Sequence, residues 1–249
     1  MLGGAGMLEL EGVELKQGTF AMSASFTLES AARVAVIGPS GAGKSTLLMA
    51  LSGFLDPVAG RILWQGADIT KSGPSQRPFS VLFQDNNLFP HMSVAQNVGL
   101  GLRPSLRLSS EETGQVNDAL SAVGLSGKGA RKPAELSGGQ QSRAALARVL
   151  VQRKSMILLD EPFAALGPAL KTEMLDLVSS LCAQTGAGLL MVSHDPEDAK
   201  RICESAVLVA EGKAHAPMAT VDLLDNPPES LRDYLGQQKT PASIQLTGV

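Results

Sequence analysis

Apolar and polar positions alternate in some parts of the chain and run unbroken in others. Leu8-Glu9-Leu10-Glu11 and Phe26-Thr27-Leu28-Glu29 alternate apolar and charged, the pattern of a half-exposed antiparallel sheet. Ile62-Leu63-Trp64 continues that section after Gly60. Unbroken apolar runs follow at Val34–Ile37, Met156–Leu159, Leu189–Val192 and Ala206–Val209. Such runs predict strands buried on both faces of a parallel sheet. Between them, Ala169–Ala183 predicts a helix, and the order is that of an α/β domain with an added antiparallel part.

The middle reads differently. Residues 87–155 offer helix-like segments and almost no strand signal. Over Ser110–Val123, the apolar positions Val116, Ala119, Leu120 and Val123 form a helical stripe. Leu108-Ser109-Ser110-Glu111-Glu112 before it predicts a cap with acids in the first turn. The expected organisation is therefore a core over 7–86 and 156–224, a helical insertion over 87–155, and a tail over 225–249. The tail, rich in Pro, Ser and Gln, predicts a short helix and a loose end.

Composition narrows the class. The chain has 249 residues, 44% of them hydrophobic, enough for a substantial core. No stretch of about eighteen uncharged apolar residues spans a membrane unaided. The short glycine-rich N-terminus lacks the basic and apolar regions of a secretory signal. A net charge of −3 provides no broad basic field for nucleic acid. The two cysteines, Cys182 and Cys203, have no metal-like spacing and read as idle thiols in a reducing compartment.

Chemistry enters at Gly38-Pro39-Ser40-Gly41-Ala42-Gly43-Lys44-Ser45, a complete phosphate-binding loop. It follows one apolar run and precedes the helix-like run Thr46–Leu51, the context such a loop requires. Glycines let backbone N–H groups converge on one anion, and a helix N-terminus adds its dipole. Lys44 suits the β- and γ-phosphates, and Ser45 suits Mg²⁺. A second signal is Met156-Ile157-Leu158-Leu159-Asp160-Glu161-Pro162, a buried strand delivering two acids to its C-terminal edge. Asp160 is placed to hold Mg²⁺, and Glu161 to orient the attacking water. A third is Leu136-Ser137-Gly138-Gly139-Gln140 before the helix-like run Ser142–Val151, which predicts a second anion-binding nest.

In this order, the motifs resemble the nucleotide-binding subunits of ABC transporters, over roughly residues 8–225. The resemblance implies a P-loop NTPase core of mixed sheet with an antiparallel β part and an inserted helical subdomain. It implies that ATP and Mg²⁺ bind Gly38–Thr46, Gln84 and Asp160, and that Ser137, Gly138, Gly139 and Gln140 of a second copy cover the γ-phosphate in a head-to-tail dimer. Gln84, ending the run Leu82-Phe83-Gln84, corresponds to the glutamine that touches Mg²⁺ and the attacking water. His194, in Val192-Ser193-His194-Asp195, corresponds to the histidine that contacts the γ-phosphate.

The implied partners are integral-membrane permease subunits and, indirectly, a periplasmic binding protein, with no nucleic acid. The implied location is peripheral, on the cytoplasmic face of a bacterial inner membrane. The wording from Phe83 to Leu102, with Leu189–His194 and Ala164–Leu170, looks like that of subunits serving thiamine importers. Iron or sulfate transport, or a weakly hydrolysing partner subunit, stay open as alternatives.

The chain departs from the family pattern at several places. Ala164-Ala165-Leu166-Gly167 stands where Ser-Ala-Leu-Asp is usual, so an interface carboxylate is replaced by Gly167. Leu15, Lys16 and Gln17 occupy the place of an adenine-stacking aromatic, with only Phe20 nearby. Gln141-Ser142-Arg143 replaces the commoner Arg-Gln-Arg. The expectation is an ATPase with intact phosphate gripping and altered adenine contact and coupling between sites.

Overall fold

The computed structural model describes residues 8–84 and 87–238. The N-terminal extension, the Asp85-Asn86 step after Gln84 and the chain beyond Gln238 lie outside the described residues.

Strands β1 (Leu8–Gln17) and β2 (Phe20–Leu28) form the antiparallel part expected from their alternation. One detail of β1 is not a simple alternation. Leu8 and Leu10 are buried at even positions, Val13 and Leu15 at odd ones. The phase changes at Gly12, which has φ +55°, and the pairing with β2 shifts between Leu10 and Val13. A bulge with an added residue keeps all four side chains on the inner face.

The parallel core comprises β3 (Arg33–Ile37), β6 (Phe79–Leu82), β7 (Met156–Asp160), β8 (Gly188–Val192) and β9 (Ser205–Ala210). With β4 (Ala59–Trp64), β5 (Ala67–Asp68) and β10 (Lys213–Ala214), the strand order is β5-β4-β1-β2-β10-β9-β3-β8-β7-β6. The short β11 (Met218–Ala219) pairs with β9. β10 joins the two parts, parallel to β2 and antiparallel to β9.

The unbroken apolar runs are explained by two separate cores, one on each face. Val34, Val36, Leu158, Leu190 and Val207 face one cluster; Ala35, Ile37, Leu159, Met191 and Leu208 face the other. Helix α1 (Lys44–Leu51) buries Leu47, Leu48 and Leu51 in the first cluster, together with the inner face of β1 and β2. The sheet thus folds around α1, which fixes the loop before it at the strand edge.

The second cluster takes the remaining large helices. These are α2 (Val94–Gly99), α3 (Ser110–Ala122), α4 (Gly138–Leu150), α5 (Pro168–Thr185) and α6 (Pro196–Ile202). No strand occurs among the described residues of 87–155. Helix α3 begins as its pattern predicts. Ser109 Oγ accepts the Glu112 N–H at 3.1 Å, and the Glu112 carboxylate accepts the Ser109 N–H at 2.8 Å. Helix α7 (Thr220–Asp225) and helix α8 (Glu229–Gln238) close the described chain. No described helix is long and apolar enough to cross a membrane.

Candidate functional site

The phosphate-binding sequence forms the β3–α1 turn. Gly41 and Gly43 take φ +76° and +106°, conformations that ordinary side chains rarely adopt. A Cβ on Gly43 would also lie 2.5 Å from Phe20 Cζ. Helix α1 has no side-chain cap at Gly43, so no side chain occupies its first N–H groups. Lys44 Nζ donates to the carbonyls of Gly38 at 2.8 Å and Pro39 at 2.9 Å. An ammonium has three donors, so this arrangement holds the charge at the loop mouth with one donor to spare.

β7 delivers the acids from the opposite side. Ser45 Oγ donates to Asp160 Oδ1 at 3.2 Å, so the hydroxyl and carboxylate predicted to share Mg²⁺ are adjacent. Burial pushes the Asp160 carboxyl above its usual range; the Ser45 hydrogen bond and the Lys44 charge pull it back only in part. Burial likewise lowers the Lys44 ammonium, against the attraction of Glu161 and Asp160. A buried carboxylate beside a hydroxyl is a hard oxygen pair, and Mg²⁺ commonly takes only one or two protein oxygens plus phosphate and water. These residues fit that ion.

Glu161 sits at φ +45°, a left-handed conformation for a non-glycine residue, with its N–H bonded to the Val192 carbonyl at 3.1 Å. Its Oε2 is 3.3 Å from His194 Nδ1. Gln17, Phe20, Ser40, Gly41, Gly43, Lys44, Ser45, Thr46 and Glu161 line one cavity of about 380 Å³. Phe20 therefore stands beside the loop although it lies outside positions 15–17. A cavity of about 710 Å³ is larger, but it lies on the helical part around Asn117, Asp118 and Ser121 and holds no paired acid and base. Gln84 is exposed just past β6.

Ser137–Gln140 form the start of α4. The helix begins at Gly138, four residues earlier than the apolar pattern suggested. Ser137 is its cap: Ser137 Oγ accepts the Gln140 N–H at 3.4 Å, and Gln140 Oε1 accepts the Ser137 N–H at 3.3 Å. Gly139 is buried, and a Cβ there would run into the Leu170 side chain of α5. Ser137, Gly138 and Gln140 do not line the cavity that contains Lys44.

The sequence reading missed several residues that support the site. Asn97 is fully buried and secures the turn over Phe89–Ser93: its Oδ1 accepts the Phe89 N–H at 2.7 Å and its amide donates to the Ser93 carbonyl at 3.0 Å. Lys171 lies 2.6 Å from Asp195 and 2.9 Å from Asp198, just beyond His194. Tyr234 Oη donates to the His194 carbonyl at 3.0 Å. A buried Asn and a Lys near paired acids left only single-residue signals, without a spacing rule that joins them. Cys182 and Cys203 are free and buried, with thiols pushed up to about 11 and about 12 by desolvation, which fits the idle role expected for them.

A model of the ABC transporter family matches residues 21–164, and the chain belongs to the ABC transporter family. Within it, the chain is 58% identical over 230 residues to the thiamine import ATP-binding protein ThiQ of Ruegeria sp. (strain TM1040), covering 92% of this chain and 100% of that protein. The identically named protein of Escherichia coli (strain K12) is 49% identical over 242 residues, 97% of this chain and 100% of its own length. Among solved structures, an ATP-binding cassette of an ABC transporter in its ADP conformation matches with a TM-score of 0.84 and 25% sequence identity. That match covers 93% of this chain and 99% of the other.

Proposed function

We propose that this chain is the ATP-hydrolysing subunit that energises thiamine import through a partner membrane permease. The observation that carries the enzymatic part is the meeting of Lys44, Ser45 and Glu161 at one cavity, with Asp160 3.2 Å from the Ser45 hydroxyl. The cargo follows from the naming of relatives that match this chain over nearly its whole length. Those names favour thiamine over iron or sulfate.

The residue roles follow from their chemistry. Gly38–Thr46 offers backbone N–H groups and the Lys44 charge to the phosphates. Ser45, Asp160 and Gln84 would hold Mg²⁺, which neutralises phosphate charge during transfer. Glu161 orients water and takes its proton, while His194 steadies the Glu161 carboxylate and contacts the γ-phosphate. Phe20 and Gln17 offer the base an apolar face and an amide.

Ser137, Gly138, Gly139 and Gln140 of a second copy would complete the site from above. Closing the two copies then moves the helical part against the permease, whose contact is expected near residues 84–102. The protein would be peripheral, on the cytoplasmic face of a bacterial inner membrane, receiving thiamine indirectly from a periplasmic binding protein. ATP can drive this cycle only by favouring the closed state over the open one.

The test uses vesicles that hold the full transporter. Labelled thiamine should accumulate with ATP, while Glu161→Gln should retain ATP binding and lose both turnover and uptake. Equal uptake of iron or sulfate, or unchanged turnover in Glu161→Gln, would overturn the corresponding half of the reading.

A further inference from the structure

The contact between Glu161 and His194 joins two loops that leave adjacent strands: β7 and β8 pair as far as Asp160 and Val192, and beyond the Glu161 N–H bond to the Val192 carbonyl the loops depend on side chains. Glu161 opens the loop after β7, and His194 lies between β8 and α6. Glu161 holds a left-handed backbone conformation that its surroundings must maintain. Lys171, in the first turn of α5, bridges the two loops. Its backbone N–H makes the ordinary first-turn helix bond to the Gly167 carbonyl at 2.9 Å, so α5 starts where the loop from Glu161 ends and the link to the second loop is carried by the side chain alone. Its Nζ lies 2.6 Å from Asp195 Oδ2 and 2.9 Å from Asp198 Oδ2.

The Lys171 side chain is only 16% exposed and that of Asp198 only 14%, so this is not a solvated surface pair. Burial alone would lower the Lys171 ammonium, yet the two carboxylates hold it above its usual range. The far side of the loop is tied as well. Ser193 Oγ donates to Asp198 Oδ2 at 3.1 Å and accepts the Asp195 N–H at 3.1 Å. Tyr234 of α8 donates to the His194 carbonyl.

We propose that Lys171 is a positioning residue for ATP hydrolysis, clamping residues 161–167 to residues 193–198 so that His194 stays against Glu161. Tyr234 is a second, weaker tether from the C-terminal side. Gly167 has no side chain, and the side-chain link from the start of α5 to residues 193–198 is that of Lys171. The clamp rests on the hydrolytic roles given above to Glu161 and His194.

The test measures phosphate release against ATP concentration for the full-length chain assembled with its membrane partners. Lys171→Met should lower kcat about tenfold, leave KM for ATP within about twofold, and leave binding of a fluorescent ATP analogue unchanged. Lys171→Arg should restore at least about half of the lost turnover, and Tyr234→Phe should lower kcat about twofold. If Lys171→Met does not fold, Asp195→Asn should lower kcat about threefold or more with KM preserved. Turnover of the folded Lys171→Met variant within about twofold of the parent, or parallel loss of turnover and ATP binding, would overturn the clamp. Glu161→Gln run alongside separates the two levels. If it abolishes turnover while Lys171→Met does not, only the clamp fails; if it is fully active, the clamp falls with the reading beneath it.

Discussion

Two glycine-bearing helix starts face opposite situations in this molecule. At α1, Gly43 leaves the first turn without a side-chain cap, Lys44 and Ser45 share a cavity with Glu161, and Asp160 bonds the Ser45 hydroxyl. At α4, Ser137 and Gln140 cap each other, and Gly139 is there to admit Leu170. The first start is open toward a ligand within one chain. The second is satisfied locally through two long hydrogen bonds and has no acid beside it in the cavity of Lys44. Under the proposed function, the first terminus binds phosphate within its own chain and the second meets a phosphate held by another copy.

That contrast breaks most sharply at Lys44. Lys44→Ala should reduce ATP turnover by about a hundredfold or more, measured as phosphate release by the complete transporter. Equal rates would show that the open start is not the one that matters. Gly43→Ala follows in size. Its φ of +106° and the crowding by Phe20 should cost about 1–3 kcal/mol, visible as a lower melting temperature along with lost nucleotide binding.

Ser137→Ala should separate the two starts. Nucleotide binding by a single chain should persist, dimer turnover should fall about tenfold, and removal of the cap should cost about 1 kcal/mol. Equal loss of binding and turnover would mean that α4 acts within its own chain.

Asp160→Asn should stabilise the nucleotide-free chain by about 2 °C while removing turnover. Burial raises the Asp160 carboxyl, so the folded chain holds that proton longer than the unfolded one. The group is therefore destabilising above its folded pKa, and the penalty fades as pH falls toward the ordinary carboxylate value of about 3.9. The gain from Asp160→Asn should shrink along the same course in melts at decreasing pH. The smallest effect is expected from Gly167→Asp. No non-neighbouring atom of the described residues lies within 4 Å of a Cβ there, and Gly167 already caps α5 at φ −64°, so stability should rise by only a few tenths of a kcal/mol. Dimer turnover should rise if a carboxylate there aids coupling.

Much of the fold is legible in the pattern because each feature has a local cause. Alternation marked β1 and β2, buried runs marked β3, β7, β8 and β9, and the serine–glutamate spacing marked the start of α3. The start of α4 was misjudged because two glycines look like a break, whereas Ser137 and Gln140 cap a helix that already includes them. The bulge at Gly12 was missed because a one-residue phase change is invisible without the partner strand. At the site, Lys44, Ser45, Asp160 and Glu161 were readable because contiguous motifs position them by strand and turn geometry. Asn97, Lys171 and Tyr234 were not, since each acts across long sequence separation on a backbone or charge that no short motif contains.

The sequence alone determined the chemistry of the phosphate grip: a glycine turn, a lysine and a hydroxyl are fixed by adjacent residues, as are the two acids at a strand end. Only the tertiary structure decided how those groups are held. Folding of the sheet around α1 brings Ser45 to Asp160, and packing of α5 and α6 brings Lys171 to Asp195 and Asp198. Those contacts depend on where separate elements cross, which residue order within any one element does not encode.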